Sequence, residues 1–288
     1  MSAGRPNLFV SREGIEGRFP EQFATNWQRR ALVIGTLVAM TATFIVGLLQ
    51  LEIPFSRLIP GTLQLGDFVR LMLPPEPGSW ANFRAYLHAM GETLSIAFLG
   101  TLGGAVLAFP MALLAARNVV ANRIVHFLSR RWLDTIRGVD TLIWALIWVS
   151  VVGLGPFAGI LAILCSDFGS FGKLFSEAME AADKRPVEGV VSTGGSHVHG
   201  VRFGLLPQVI PVLASQVLYY FESNTRSATI IGIVGAGGIG QQLSEQIRTL
   251  EWQRVAFIII MILMTVAIID LVSSRLRFAI IGKSATVH

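Results

Sequence analysis

Side chains equipped for chemistry are scarce in this sequence and gather in three places. The largest group is a polar island between two long apolar stretches. It runs Glu188-Gly-Val-Val-Ser-Thr-Gly194-Gly195-Ser196-His197-Val198-His199 and continues to Leu206-Pro207. His197 and His199 are zinc-binding residue types, but alternate residues on a helix point apart, and no cysteine or third histidine lies near. They are expected to face solvent or a partner rather than a metal. The second group is Glu222-Ser223-Asn224-Thr225-Arg226, at the edge of an apolar run. Ionisable groups in such a place are costly and therefore often functional. A guanidinium with hydroxyl and amide neighbours suits a tetrahedral oxyanion. Equally, Arg226 and Glu222 stand at i,i+4 and can pair along a helix. The third group, Gly235-Ala-Gly237-Gly-Ile-Gly240, satisfies the G-x-G-x-x-G spacing of dinucleotide sites. That fingerprint needs βαβ units and an acid about 20 residues on. Here Gln241–Arg254 and another apolar run follow, which leaves no room for such a sheet. An irregular, close-packed turn is the better reading.

No catalytic constellation emerges. The chain lacks a Gly-x-x-x-x-Gly-Lys-Ser/Thr segment, and no constellation of His, Glu and Asp residues falls inside a span. An enzyme is not expected, nor a metal or cofactor held by this chain.

The elements that must position these groups are membrane spans. Charged residues make up 14% of the sequence and hydrophobic ones 52%, against about 25% charged in soluble proteins. Residues 31–51, 93–116 and 255–269 run without a charge. About 20 such residues cross the hydrocarbon, where backbone polar groups must be satisfied within helices. The expectation is an all-α, polytopic membrane protein of about six spans: 31–51, 93–116, 139–152, 157–175, 207–221 and 255–272. An amphipathic helix over 118–138 is expected at the interface. The expected organisation is a cytoplasmic tail (1–28), a first span and external loop (29–90), a core (91–280) with a hydrophilic loop at 177–207, and a C-terminal tail (281–288). A helix leaving the fourth span is expected to be interrupted at Pro186 and Gly189.

The net charge of +5 is not a nucleic-acid surface. The cations flank spans: Arg29 and Arg30; Arg117, Arg123, Arg130, Arg131 and Arg137; Arg275, Arg277 and Lys283. That is the positive-inside pattern, and it places both termini and the polar island on the cytoplasmic side. Were 139–175 one long helix, the island would lie outside.

The island's spacing resembles the coupling loop of ABC-importer permeases, Glu-Ala-Ala, three residues, Gly, nine residues, Ile-x-Leu-Pro. Glu188, Gly194 and Leu206-Pro207 match, while Gly189, Val190 and Gly204 replace the alanines and the isoleucine. Gly153-Leu-Gly-Pro-Phe-Ala-Gly159, Leu206-Pro-Gln-Val-Ile-Pro211, Phe221–Thr229 and Val234–Gly240 resemble the phosphonate-importer permease family over roughly residues 91–280. The Val234–Gly240 string is shared with methionine-type permeases. The resemblance implies a type I ABC-importer fold, a bacterial inner-membrane homodimer embedded in lipid, and an extracytoplasmic substrate-binding protein. It also implies an ATP-binding cassette ATPase dimer, which holds ATP and Mg, and a phosphonate or related phosphorus oxyanion as cargo. By motif, Glu188, Gly194 and Pro207 belong to coupling, with Gly195, Ser196 and His197 in the same segment. Arg226, Glu222, Asn224 and Ser223 enter as translocation-path candidates on electrostatic grounds alone. Another small solute such as methionine, or a secondary transporter, stays open; the latter often shows internal repeats, and none is evident here.

Overall fold

The computed structural model describes residues 27–51 and 58–282, and every described element is helical. The tails 1–26 and 283–288, and residues 52–57 of the expected external loop, lie outside the described residues. Contacts divide the chain into two units, Met1–Asp67 and Phe68–His288. In the first, α1 (Trp27–Gln50) is long enough to span, and its Leu32, Leu37, Phe44 and Leu49 are all exposed. A helix apolar all round belongs in lipid. It leads toward α2 (Leu58–Leu71), whose last turn belongs to the second unit.

The second unit is built on α3 (Trp80–Ala115) and α6 (Pro156–Glu180). α3 begins at Trp80 rather than Thr93, because Ser79 caps it by accepting the Asn82 N–H at 3.2 Å. Small residues let the two helices touch closely. A Cβ on Gly104 would stand 2.8 Å from that of Asp167, and one on Gly100 2.7 Å from that of Ile163. Their C-terminal ends lie together, since Glu180 Oε1 accepts the Arg117 N–H at 2.9 Å and the Asn118 amide donates to the Met179 carbonyl at 2.7 Å. The two helices therefore run parallel, and the chain between them must return once across the bundle.

That return is made by α4 (Arg123–Arg137) and α5 (Thr141–Val152), bent by 82° to each other. At 1.5 Å per residue α5 is about 18 Å long, short of a 30 Å hydrocarbon core, so the pair makes one broken span. Among the described residues five helices are long and apolar enough to cross alone, and the bent pair, taken as one span, raises this to six. The reversal at Gly153-Leu-Gly155 is real: Gly155 N–H reaches the Gly235 carbonyl at 2.9 Å. Residues 139–175 are thus not one helix, and the polar island shares its end of the bundle with the arginines of α4.

Beyond α6 come α7 (Arg185–Ser192), the short α8 (His197–His199), a π-helical turn (Gly200–Leu205), α9 (Leu206–Ile233), α10 (Ile239–Arg248) and α11 (Trp252–Gly282). Three of these differ from expectation. The fourth span ends at Glu180, and Pro186 begins a new helix; proline suits a first turn, whose N–H has no helical partner anyway. Gly189 sits inside α7 and does not break it. The fifth span continues past Phe221 to Ile233, because Glu222 and Arg226 pair along it. α10 is an unexpected amphipathic helix that buries Ile239, Leu243 and Gln246 on one face.

Candidate functional site

The polar island folds into a hairpin hung between α6 and α9. Its first arm, α7, carries Glu188 in the first turn, where a carboxylate complements the helix dipole. The arm stops on two crossing bonds: Gly195 N–H to the Val190 carbonyl at 3.2 Å, and Gly194 N–H to that of Val191 at 3.0 Å. This is a Schellman stop, which needs a left-handed residue just past the cap. Gly194 supplies it at φ 90, in otherwise open space. Ser196 then starts the return arm: its hydroxyl lies 2.8 Å from His199 Nδ1, and its N–H donates to the same nitrogen at 3.3 Å.

The π-helical turn lies back on α7. A Cβ on Gly204 would stand 2.7 Å from Val187 Cα, so the glycine at the motif's isoleucine position has a local cause. Gln208 fastens the hairpin to α9 by donating to the carbonyls of Gly204 (2.6 Å) and Asp183 (3.1 Å). Between these parts is a cavity of ≈ 180 Å³, lined among others by Asn118, Val187 and Glu188. Glu188, Gly194, Ser196, His197 and Pro207 are exposed and Gly195 is partly so. So are Val191, Val198 and Phe203, with Val198 71% exposed. The hairpin thus presents exposed apolar tips beside an exposed carboxylate. Among the described residues no group of three metal-binding side chains exists, and His199 stacks on Phe203 instead.

The second group sits within α9. Buried Glu222 accepts from Arg226 at 3.4 Å through Oε1 and from Arg277 of α11 at 3.1 Å through Oε2. The i,i+4 pairing therefore forms, yet the Arg226 side chain stays 48% exposed. Tyr219, Arg226 and Ile230 are exposed and Ser223 is half-buried, all at helical spacing along one side of α9. An arginine directed outward from an apolar helix costs about 3 kcal/mol in lipid, so this side belongs against water or another chain. Asn224 does not share that side. It is buried, and its amide donates to Asp167 Oδ2 at 2.6 Å and Thr101 Oγ1 at 2.8 Å, tying α3, α6 and α9 together. Sequence reasoning missed Asp167, Thr101 and Arg277. The available signal was Asp167, a lone acid within the apolar run of α6.

Comparison with known proteins agrees with this architecture. Residues 108–281 match the family described as binding-protein-dependent transport system inner membrane component. The chain is 39% identical over 253 residues to the permease protein HtxC of Stutzerimonas stutzeri, whose name assigns it to a phosphite transport system; 88% of this chain and 89% of that one are covered. It is 33% identical over 259 residues to the phosphite transport system permease protein PtxC of the same organism, covering 88% and 91%. It is also 36% identical over 250 residues to the phosphate-import permease protein PhnE of Mycolicibacterium smegmatis, covering 85% of this chain and 44% of that protein. Among solved structures, the inward-facing MetNI methionine ABC transporter matches 70% of this chain and 99% of its own at 19% identity, with a TM-score of 0.63. The last comparison gives the fold, that of a type I ABC-importer permease. The chain is a multi-pass inner-membrane transport component rather than an enzyme, and it belongs to the family of binding-protein-dependent transport system inner membrane components.

Proposed function

We propose that two copies of this chain form the path for a phosphorus oxyanion, such as a phosphonate, phosphite or phosphate ester. A soluble binding protein delivers the solute from outside. A separate ATP-binding cassette dimer, holding ATP and Mg, drives the cycle from the cytoplasm. The observation that carries this reading is the elbow: a hydrophilic hairpin locked by backbone bonds and fastened to α9, at the same end as the arginines of α4. Positive-inside charge puts that end, and both tails (1–28 and 281–288), in the cytoplasm. The permease core is taken as 91–280 with the coupling loop at 177–207. Glu188, Gly194, Gly195, Ser196, His197 and Pro207 then meet the ATPases, and a hinge-type motion passes along α6 and α9.

The oxyanion is favoured by the names of HtxC and PtxC, similar along nearly their whole length, and by Arg226. Its bonds to Glu222 are long at 3.4 Å and half its surface is free. An arriving oxyanion can therefore compete with Glu222 for a bidentate grip, with Ser223 beside it. Glu222 meanwhile keeps Arg277 neutralised, and Asn224 holds the helices in register. The outward Arg226, which suits a partner copy or water rather than lipid, supports a dimer. A dimer also fits the Mycolicibacterium relative, of which this chain covers less than half.

The test is ATP-driven uptake of radiolabelled phosphite and methylphosphonate by proteoliposomes holding the permease, its ATPase and its binding protein. ATP-dependent accumulation of either supports the assignment. Uptake without ATP, or uptake of methionine in place of both, overturns it.

A further inference from the structure

Where α3 ends and α4 begins, the chain borders an open cleft of ≈ 580 Å³ lined by Arg117, Val120, Ala121, Arg123, His126 and Phe127. Every charge on its lining is positive. Among the described residues neither Arg117 nor Arg123 forms an ion pair. The neighbouring carboxylates are already engaged: Glu180 by the Arg117 N–H and by Arg130, and Asp134 by Lys173 and Arg131. The Arg117 Nε–H donates to His126 Nε2 at 3.1 Å. With Nε2 accepting, the ring hydrogen sits on Nδ1, a buried atom without a hydrogen-bond partner among the described residues. The corner thus offers two guanidinium groups with no counter-charge.

The same helix presents grease beside that charge. Ile124, Phe127, Leu128 and Trp132 are exposed at the spacing of one side of α4. α4 meets α5 at 82°, and its Arg130 pairs with Glu180 at the end of α6, so the apolar row begins at the edge of the bundle, where amphipathic helices meet headgroups. Phe127 belongs to both features, lining the cleft and standing on the apolar side.

We propose that this corner is a binding site for an anionic phospholipid, with Arg117 and Arg123 gripping the phosphate and the acyl chains lying along Ile124, Phe127, Leu128 and Trp132. A free phosphate would use the same guanidinium pair, but it has no use for the apolar row. A headgroup of net negative charge is favoured over a zwitterion, because a choline or ethanolamine would bring its cation against the two arginines. The site is independent of which solute the path carries.

Native mass spectrometry of the full chain in detergent tests this, using dioleoylphosphatidylglycerol, dioleoylphosphatidylcholine and inorganic phosphate as probes. Phosphatidylglycerol should bind the unaltered protein markedly tighter than phosphatidylcholine. Arg117→Gln with Arg123→Gln should weaken it by roughly 30-fold, the sum expected for two interfacial arginines. Arg275→Gln, which removes one exposed cation from the last helix, should leave binding unchanged. Equal retention of the two lipids by the unaltered protein overturns the proposal, and that comparison does not depend on how any variant folds. An equal loss in Arg275→Gln marks mere surface charge and overturns it as well. Displacement of the lipid by inorganic phosphate marks a free-anion site and overturns the lipid assignment.

Discussion

The elbow and the polar cluster inside the bundle solve opposite problems with similar residues. In the elbow, polar side chains stay exposed and the shape is set by backbone: the crossing bonds of Gly194 and Gly195, the cap at Ser196 and the close lie of Gly204 on Val187. Inside the bundle the backbone is plain helix, and the shape is set by side chains that find partners across four spans: Asn224 with Asp167 and Thr101, Glu222 with Arg226 and Arg277. We read the first arrangement as a lever whose exposed surface would meet a partner. The second makes a joint whose residues are individually hard to remove. Substitutions in the elbow should therefore alter transport without altering stability, and substitutions in the cluster should alter stability first.

Gly194→Trp is the largest expected effect on that contrast. A side chain at φ 90 costs about 1–2 kcal/mol locally, and the indole would stand on the proposed docking surface. Uptake should fall to background while the unfolding midpoint of the membrane bundle holds; ordinary uptake would remove the elbow from coupling. Asn224→Leu should act the other way. It strips the buried Asp167 carboxyl of its amide donor and should lower bundle stability by about 2–3 kcal/mol, read as a drop in the thermal midpoint. An unchanged midpoint would break the comparison at its second term.

Arg226→Ala sits between the two regions. Uptake of the oxyanion should fall about tenfold, the size of one charge-assisted hydrogen bond, while the ATPase still co-purifies. Unchanged uptake would reduce Arg226 to a helix-stabilising partner of Glu222. The smallest effect belongs to Ser196→Ala, which removes only the hydroxyl that meets His199 Nδ1 at the exposed tip of the elbow. Coupling should loosen, seen as ATP hydrolysis less tightly tied to uptake, with no shift in the thermal midpoint.

The two regions also differ in how far the sequence discloses them. The elbow is local, so its motif spacing could be read directly from Glu188, Gly194 and Pro207. Where reading failed there, at Pro186 and Gly189, the local rules conflict: a proline both ends one helix and starts another. The spans were legible from runs of uncharged residues, except the third. There the sequence alone predicts a span over 139–152 with 118–138 as an interfacial helix, whereas Thr141–Val152 has only 12 residues and is joined to α4 at a bend. The cluster was not legible, because Asn224 finds partners 57 and 123 residues away and Glu222 meets Arg277 across 55. Spacing along one helix shows Glu222 and Arg226 as neighbours. It cannot show that Asn224 turns inward while Arg226 turns out. α10 was hidden for another reason: its apolar side rests on only Ile239 and Leu243 beside a buried glutamine, a weak periodic signal next to the glycine string.

The central claim is that the elbow faces the compartment of the ATPase. Val198→Cys in a Cys165→Ala background, probed with a membrane-impermeant maleimide, tests it most directly, since Val198 is exposed and Cys165 is the sole native cysteine. Labelling should occur in inverted membrane vesicles and be blocked when the ATPase is bound, with none in sealed right-side-out vesicles. Labelling from the exterior would contradict the account.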